Sequence, residues 1–138
     1  MKTKGTCLKF VKVKAIDQIP RYLFEQVKPR EFDIDKLYEW APILLNNPMN
    51  LFGAFIDKEE LVKGVMWSSF NPISNTITVH VISVDRAYHG KGILNEADGI
   101  LNKFKKKLGA DKIIAITNRP SAGKRVGWTQ SKSVIMEK

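Results

Sequence analysis

A chain of 138 residues, 43% apolar and 27% charged, is long enough for one domain around one core and has a globular rather than a disordered composition. Lysine and arginine outnumber aspartate and glutamate by 23 to 14, a net charge of +9, so an anionic partner is expected: the phosphates of a coenzyme, or a nucleic acid, with a solvated basic face as the plain alternative. No apolar run approaches the ~18 residues of a membrane helix, the basic first residues lack the apolar stretch of a secretory signal, and the single cysteine, Cys7, allows no internal disulfide, which together predict a cytoplasmic protein.

In chain order, residues 8–14 set Leu8, Phe10, Val11 and Val13 against Lys9, Lys12 and Lys14, the pattern of a half-exposed strand. Asp17 is placed to cap a short helix containing Tyr22, Leu23, Phe24 and Val27, ended before Pro29. Asp33 or Asp35 opens a second helix with Leu37, Tyr38, Trp40, Ile43 and Leu44, in which Pro42 predicts a kink or a break. Residues 51–56, 61–70 and 76–84 read as three strands joined by short turns at 57–60 and 71–75, hence an antiparallel meander. His80 falls in the third strand and by period two shares a face with Thr78, Ile82 and Val84. A hydrogen-bonded sheet histidine is its plain reading and a catalytic base the sharper one.

After that strand comes Asp85-Arg86-Ala87-Tyr88-His89-Gly90-Lys91-Gly92, then Ile93, Leu94, Ala97, Ile100, Leu101, Phe104 and Leu108 at helical spacing, with lysines crowding the last turns and Gly109 as the stop. Residues 112–117 form a short buried strand, so the order is βαβ with two parallel neighbours and a right-handed crossover. A strand, a Gly-Lys-Gly loop and a helix start make a place for phosphate, because the glycines let the backbone approach closely and the first helical N–H groups lack internal partners. The last stretch, 128–136, reads as one more strand. Two histidines and one cysteine give no metal-ligand spacing. A P-loop is excluded because Gly123-Lys124 is followed by Arg125 and the upstream glycine position holds Asn118. No nucleophile elbow supports a serine triad.

Residues 84–93 resemble motif A of the GNAT superfamily of acyl-CoA-dependent N-acyltransferases, usually written Arg/Gln-x-x-Gly-x-Gly/Ala. Its positions fall on His89, Gly90, Lys91, Gly92, Ile93 and Leu94, with His89 in place of the Arg or Gln and Leu94 in place of the last small residue. Residues 118–128, from Asn118 to the Gly127-Trp128 pair, resemble the segment after the family's fifth strand. The resemblance covers roughly residues 51–138, and the N-terminal third by element order; the compact form also resembles short GNAT-like proteins encoded by phages. It implies one domain over residues 1–138, of mixed α/β class: a GNAT-like mixed sheet with an antiparallel meander, a central βαβ unit and flanking helices.

The resemblance further implies that acetyl-CoA, as co-substrate, lies between the strands at 76–84 and 112–117. Backbone groups of Ile82, Ser83 and Val84 would pair with its pantetheine and polarise the thioester. His89, Gly90, Lys91, Gly92 and Ile93 would hold its pyrophosphate, with Asn118 a further contact. The acceptor would be an amine on a protein, an aminoacyl-tRNA or a small molecule. The family's usual general acid is a tyrosine shortly after Asn118. No tyrosine follows Tyr88 here, and Ser121, in that segment, is a weak substitute. Ser121 and His80 are the catalytic candidates, and no carboxylate is an obvious base: Glu96 lies on the motif helix and Asp85 is placed to cap it. Three readings stay open: an acetyltransferase, a GNAT-fold protein that has lost catalysis and serves as a structural or interaction part, and a basic nucleic-acid-binding domain.

Overall fold

The sheet is built from hairpins whose strands are apolar on both faces, so helices must cover both sides. A computed structural model describes residues 8–28, 32–115 and 129. The strands β1 (Lys9–Lys12), β2 (Asn50–Ile56), β3 (Val62–Asn71), β4 (Thr76–Val84) and β5 (Lys112–Ala115) lie side by side in chain order. The first four are antiparallel, and β5 runs parallel to β4, from Thr76 opposite Lys112 to Val79 opposite Ala115. The helices are α1 (Tyr22–Glu25), α2 (Ile34–Leu45) and α3 (Ile93–Leu108). The mixed sheet, its meander and the βαβ unit are as the sequence predicts. No described helix is long and apolar enough to cross a membrane.

Alternation along β2 divides the core. Leu51 and Phe55 join Met66, Ile77, Val79, Ile93, Ala97 and Leu101 under α3. Phe52 and Ala54 join Leu23, Phe24, Ile34, Leu37, Val65 and Val81 under α1 and α2. Burying each Leu, Ile or Phe contributes roughly 1.5–3 kcal/mol. Gly53 is the residue between them: a Cβ there would stand 2.3 Å from the Phe10 ring and 2.7 Å from the Val11 carbonyl. The end of α3 is fixed by Gly109 at φ 68°, where the Ala110 N–H reaches the Lys105 carbonyl and the Gly109 N–H the Lys106 carbonyl.

Three local expectations change. The single helix from Asp17 is instead a 3₁₀ turn, Ile16–Gln18, followed by the separate α1. Ile19 between them is extended (φ −103°, ψ 124°) because it precedes Pro20, which disfavours helical geometry. Asp17 therefore caps nothing; the turn starts at Ala15, and the Gln18 carbonyl Oε1 accepts from the N–H groups of Lys14 and Ala15. Second, α2 runs unbroken through Pro42. Asp33, not Asp35, caps it by accepting from the Lys36 N–H at 3.0 Å, and buried Ile34, Leu37 and Ala41 seat it on the sheet across the missing hydrogen bond.

Third, β4 does not keep one alternation. Trp67 opposes Val81 and Ser68 opposes Val79, so His80 is an extra residue with no opposite number on β3. This is a β-bulge. Before it, Ile77 and Val79 face α3; after it, Ile82 and Val84 do, while Val81 turns to the α1–α2 side. His80 itself packs on Trp67, a member of the α1–α2 side. The shared face expected for His80, Ile82 and Val84 is thus corrected: the bulge puts His80 on one side and the other two opposite. The strand expected at 128–136 lies outside the described residues.

Candidate functional site

The loop after β4 is shaped by its glycines and by Asp85. The Asp85 carboxylate accepts from the Ala87 N–H at 2.9 Å and caps a 3₁₀ turn, Arg86–Tyr88, so the reading of Asp85 as cap of α3 is corrected. The helix starts instead at Gly92. Gly90 and Gly92 have φ of 76° and 86°, the left-handed region that glycine adopts without strain, and open space lies where a Cβ would project from either. Among the described residues no acceptor meets the N–H groups of Gly92, Ile93 or Leu94. Lys91, between the glycines, is exposed. The turn thus presents backbone donors at the positive end of a 16-residue helix.

Behind the loop, the end of β4 is tied to α1. The Ser83 hydroxyl donates to the Leu23 carbonyl and accepts from Gln26 Nε2 at 2.7 Å. The Val84 carbonyl accepts from Gln26 Nε2 at 2.8 Å and from His89 Nε2 at 3.0 Å. The Tyr22 hydroxyl donates to the second Asp85 oxygen at 2.7 Å. Its partial burial and that bond push the phenol up to about 12, so Tyr22 is no acid near neutral pH. Asp85 is held below the usual carboxylate range by the Ala87 N–H, then the Tyr22 hydroxyl, then the charges of Lys63 and His89. A cleft of about 450 Å³ opens here, lined by Tyr22, Glu25, Gln26, Asp85 and Arg86.

His89 therefore sits folded back on the strand, and Ile82, Ser83 and Val84 lie side by side as expected, but with Ser83 and Val84 already engaged by side chains. Three side chains that hold β4, its bulge and the loop after it are not among the sequence-predicted site residues. Gln26 and Tyr22 are separated from β4 by more than 50 residues, and nothing local marks them. Ser69, the third, holds His80: its hydroxyl is 2.6 Å from His80 Nε2. Ser69 was accessible to sequence reasoning, because it follows Trp67 by two on β3 and so shares its face. The His80 ring centre lies 4.3 Å from that of Trp67, whose indole stacks on Phe52 and donates to Asn50 Oδ1. Burial lowers the His80 pKa, which keeps the ring neutral at pH 7. Asn118 and Ser121 lie outside the described residues. Among the described residues no group of three or more His, Cys, Asp or Glu side chains is placed to hold a metal.

No protein-family model matches the sequence, and no curated protein matches it. Solved structures do match its fold. The aminoglycoside antibiotic 6'-N-acetyltransferase AAC(6')-Ih of Acinetobacter baumannii superposes with a TM-score of 0.74 at 12% identity, over 95% of this chain and 97% of that one. AAC(6')-Iy, solved with the bisubstrate analog CoA-S-monomethyl-acetylneamine, gives 0.74 at 13% identity, over 96% and 98%. Glucosamine-6-phosphate N-acetyltransferase of Arabidopsis thaliana gives 0.70 at 16% identity, over 95% and 97%. At such identities the likeness speaks for architecture, and it agrees with the mixed five-stranded sheet and its flanking helices: the chain has the GNAT fold.

Proposed function

We propose that the protein is a cytoplasmic N-acetyltransferase that uses acetyl-CoA and acetylates an amine. The observation that carries this reading is the loop at Gly90-Lys91-Gly92. Two left-handed glycines, open space above both and three unpartnered N–H groups at the start of α3 fit a pyrophosphate, and Lys91 adds a cation beside them. His89 would have to leave the Val84 carbonyl to reach a phosphate. The fold shared with an enzyme solved with a CoA bisubstrate analog supports a CoA thioester at this loop.

In this reading acetyl-CoA supplies the activated acyl group and a thiol leaving group. The chain's part is to hold the pyrophosphate on α3, to bind the pantetheine along Ile82, Ser83 and Val84, and to take the amine's proton. His80 suits that last task, since burial keeps it neutral and able to accept. Asn118 and Ser121 keep the roles the resemblance implies. A second reading, a GNAT-fold protein without catalysis, is favoured by the capped Val84 carbonyl and by the absence of any tyrosine after Tyr88.

Calorimetric titration with acetyl-CoA, followed by an assay of CoA-thiol release over amines, peptides and aminoacyl-tRNA, separates the two. Wild type is expected to bind. Gly92→Asp should weaken binding at least tenfold, because it adds a side chain at positive φ and a negative charge where phosphate sits. No binding at millimolar acetyl-CoA would end the coenzyme reading. Binding without release over the whole panel would select the non-catalytic one.

A further inference from the structure

Among the described residues, positive charge also gathers away from the glycine loop. Four lysines, Lys103, Lys105, Lys106 and Lys107, fall in the last six residues of α3, and Lys112 opens β5 just beyond. The parallel register fixes where this is. Lys112 stands opposite Thr76, the first residue of β4, whereas the glycine loop follows Val84, the last. The lysines therefore occupy the opposite end of the sheet from the proposed coenzyme, and coenzyme phosphates do not account for them.

Helix geometry places Lys103, Lys106 and Lys107 within one arc of about 100°, turned away from buried Ala97 and Leu101. All three are exposed. Among the described residues none of the five lysines forms an ion pair. The acids of α3, Glu96 and Asp98, lie in its first half, and Asp111 is the single acid between Lys103 and Lys112. One cation suits the end of a helix dipole, but like charges at i,i+3 and i,i+4 oppose helix formation. Glu96 shares their face but stands two turns before Lys103, so three lysines with no helical carboxylate at i−3 or i−4 are a cost to folding that a partner's charge would offset. The β3–β4 turn is tied to this end, since Asn75 Nδ2 donates to the Gly109 carbonyl at 3.1 Å and the Asp111 N–H donates to Asn75 O at 2.8 Å.

We infer that the lysine face at the C-terminal end of α3 is a docking surface for the phosphate backbone of a nucleic-acid duplex. The side chains interleaved with the lysines decide the class. On the lysine side of the helix stand Gly99 and Asn102, with no apolar stripe of the kind that seats on a bilayer. Among the described residues the exposed aromatic rings, which single strands need for stacking, lie elsewhere, at Tyr22 and Trp40. What is left is rigid, solvated positive charge, which suits sequence-independent contact with phosphates.

The test is fluorescence anisotropy with fluorescein-labelled 20-base-pair RNA and DNA duplexes, from 50 to 200 mM KCl. Lys103, Lys106 and Lys107, with Lys112 as a fourth contact, predict a slope of log K against log salt of about −3.6, and so a loss near two orders of magnitude over that range. Lys103→Gln with Lys106→Gln and Lys107→Gln should reduce the slope by ~2.7. A control with Lys9→Gln, Lys36→Gln and Lys58→Gln removes the same charge elsewhere and should change it much less. Equal losses in the two triple variants would overturn the surface and leave only net charge. No duplex binding at 50 mM KCl, or lysine-dependent binding to phosphatidylserine vesicles alone, would overturn it as well. The RNA and DNA arms tell which duplex is preferred. Because the lysine face is remote from the glycine loop, loss of duplex binding with acetyl-CoA binding intact fails neither claim, and the two stand or fall separately.

Discussion

His80 is held by two neighbours of different chemistry, the Trp67 ring and the Ser69 hydroxyl, and its burial works against the charged form. Its pKa in the folded chain lies below 6.5, whereas the unfolded chain has the ordinary value. Below pH 6.5 the unfolded state binds the proton more readily, so stability is complete above that value and falls as pH drops below it. An imidazole NMR titration should give a midpoint under 6.5. The wild type should also lose more of its urea midpoint between pH 7.5 and 5.5 than His80→Gln does; a midpoint at or above 6.5 would show that burial does not govern this ring. The sequence marks His80 as a polar residue in an apolar strand, but not the side it faces. That depends on the register of β3 against β4, a property of the pair rather than of either strand.

Glycines show how elements make opposite demands of one residue type. Gly53 in β2 has no room for a methyl group, and the nearest obstacles include the Val11 carbonyl, which is backbone and yields little. Gly99 in α3 has nothing within reach of a Cβ. Gly53→Ala should cost roughly 1–3 kcal/mol through overpacking. Gly99→Ala should stabilise by roughly 0.5–1 kcal/mol, because the helix no longer orders a glycine. Urea denaturation of both variants checks the pair, and a neutral Gly53→Ala would mean that β1 lies less tightly on β2. Element bounds were legible wherever caps and turns are local. β4 and α3 run from Thr76 to Val84 and from Ile93 to Leu108, as their alternation, glycines and lysines indicate. The split between the 3₁₀ turn and α1 is legible too, in Pro20, which disfavours helical geometry at Ile19. The docking of α1 through Gln26 and Tyr22 was not, since it depends on which strand end the sheet presents to that helix.

For the molecule as a whole, one sheet separates two cores that, among the described residues, share no buried side chain. Leu101→Ala, under α3, should cost about 2–5 kcal/mol, and Ile34→Val, under α1 and α2, about 0.5–1.5 kcal/mol. Because the sites lie on opposite faces, the double variant should equal the sum within ~0.5 kcal/mol. A larger discrepancy in urea melts would reveal strain carried through the sheet. The bulge at His80 belongs to this scale too. It acts as a phase slip in the strand: residues up to Val79 keep one parity, and those from Val81 keep the other. Pairing His80 regularly, with every residue kept, would restore one rhythm and send Val81 and Ser83 beneath α3 and Ile82 and Val84 toward α1. The hydroxyl that meets Leu23 and Gln26 would then be lost in an oily layer. The extra residue is therefore a hinge of meaning for everything downstream of it, and neither the inner layers nor the glycine loop's anchorage to α1 can be re-lettered without counting from that point.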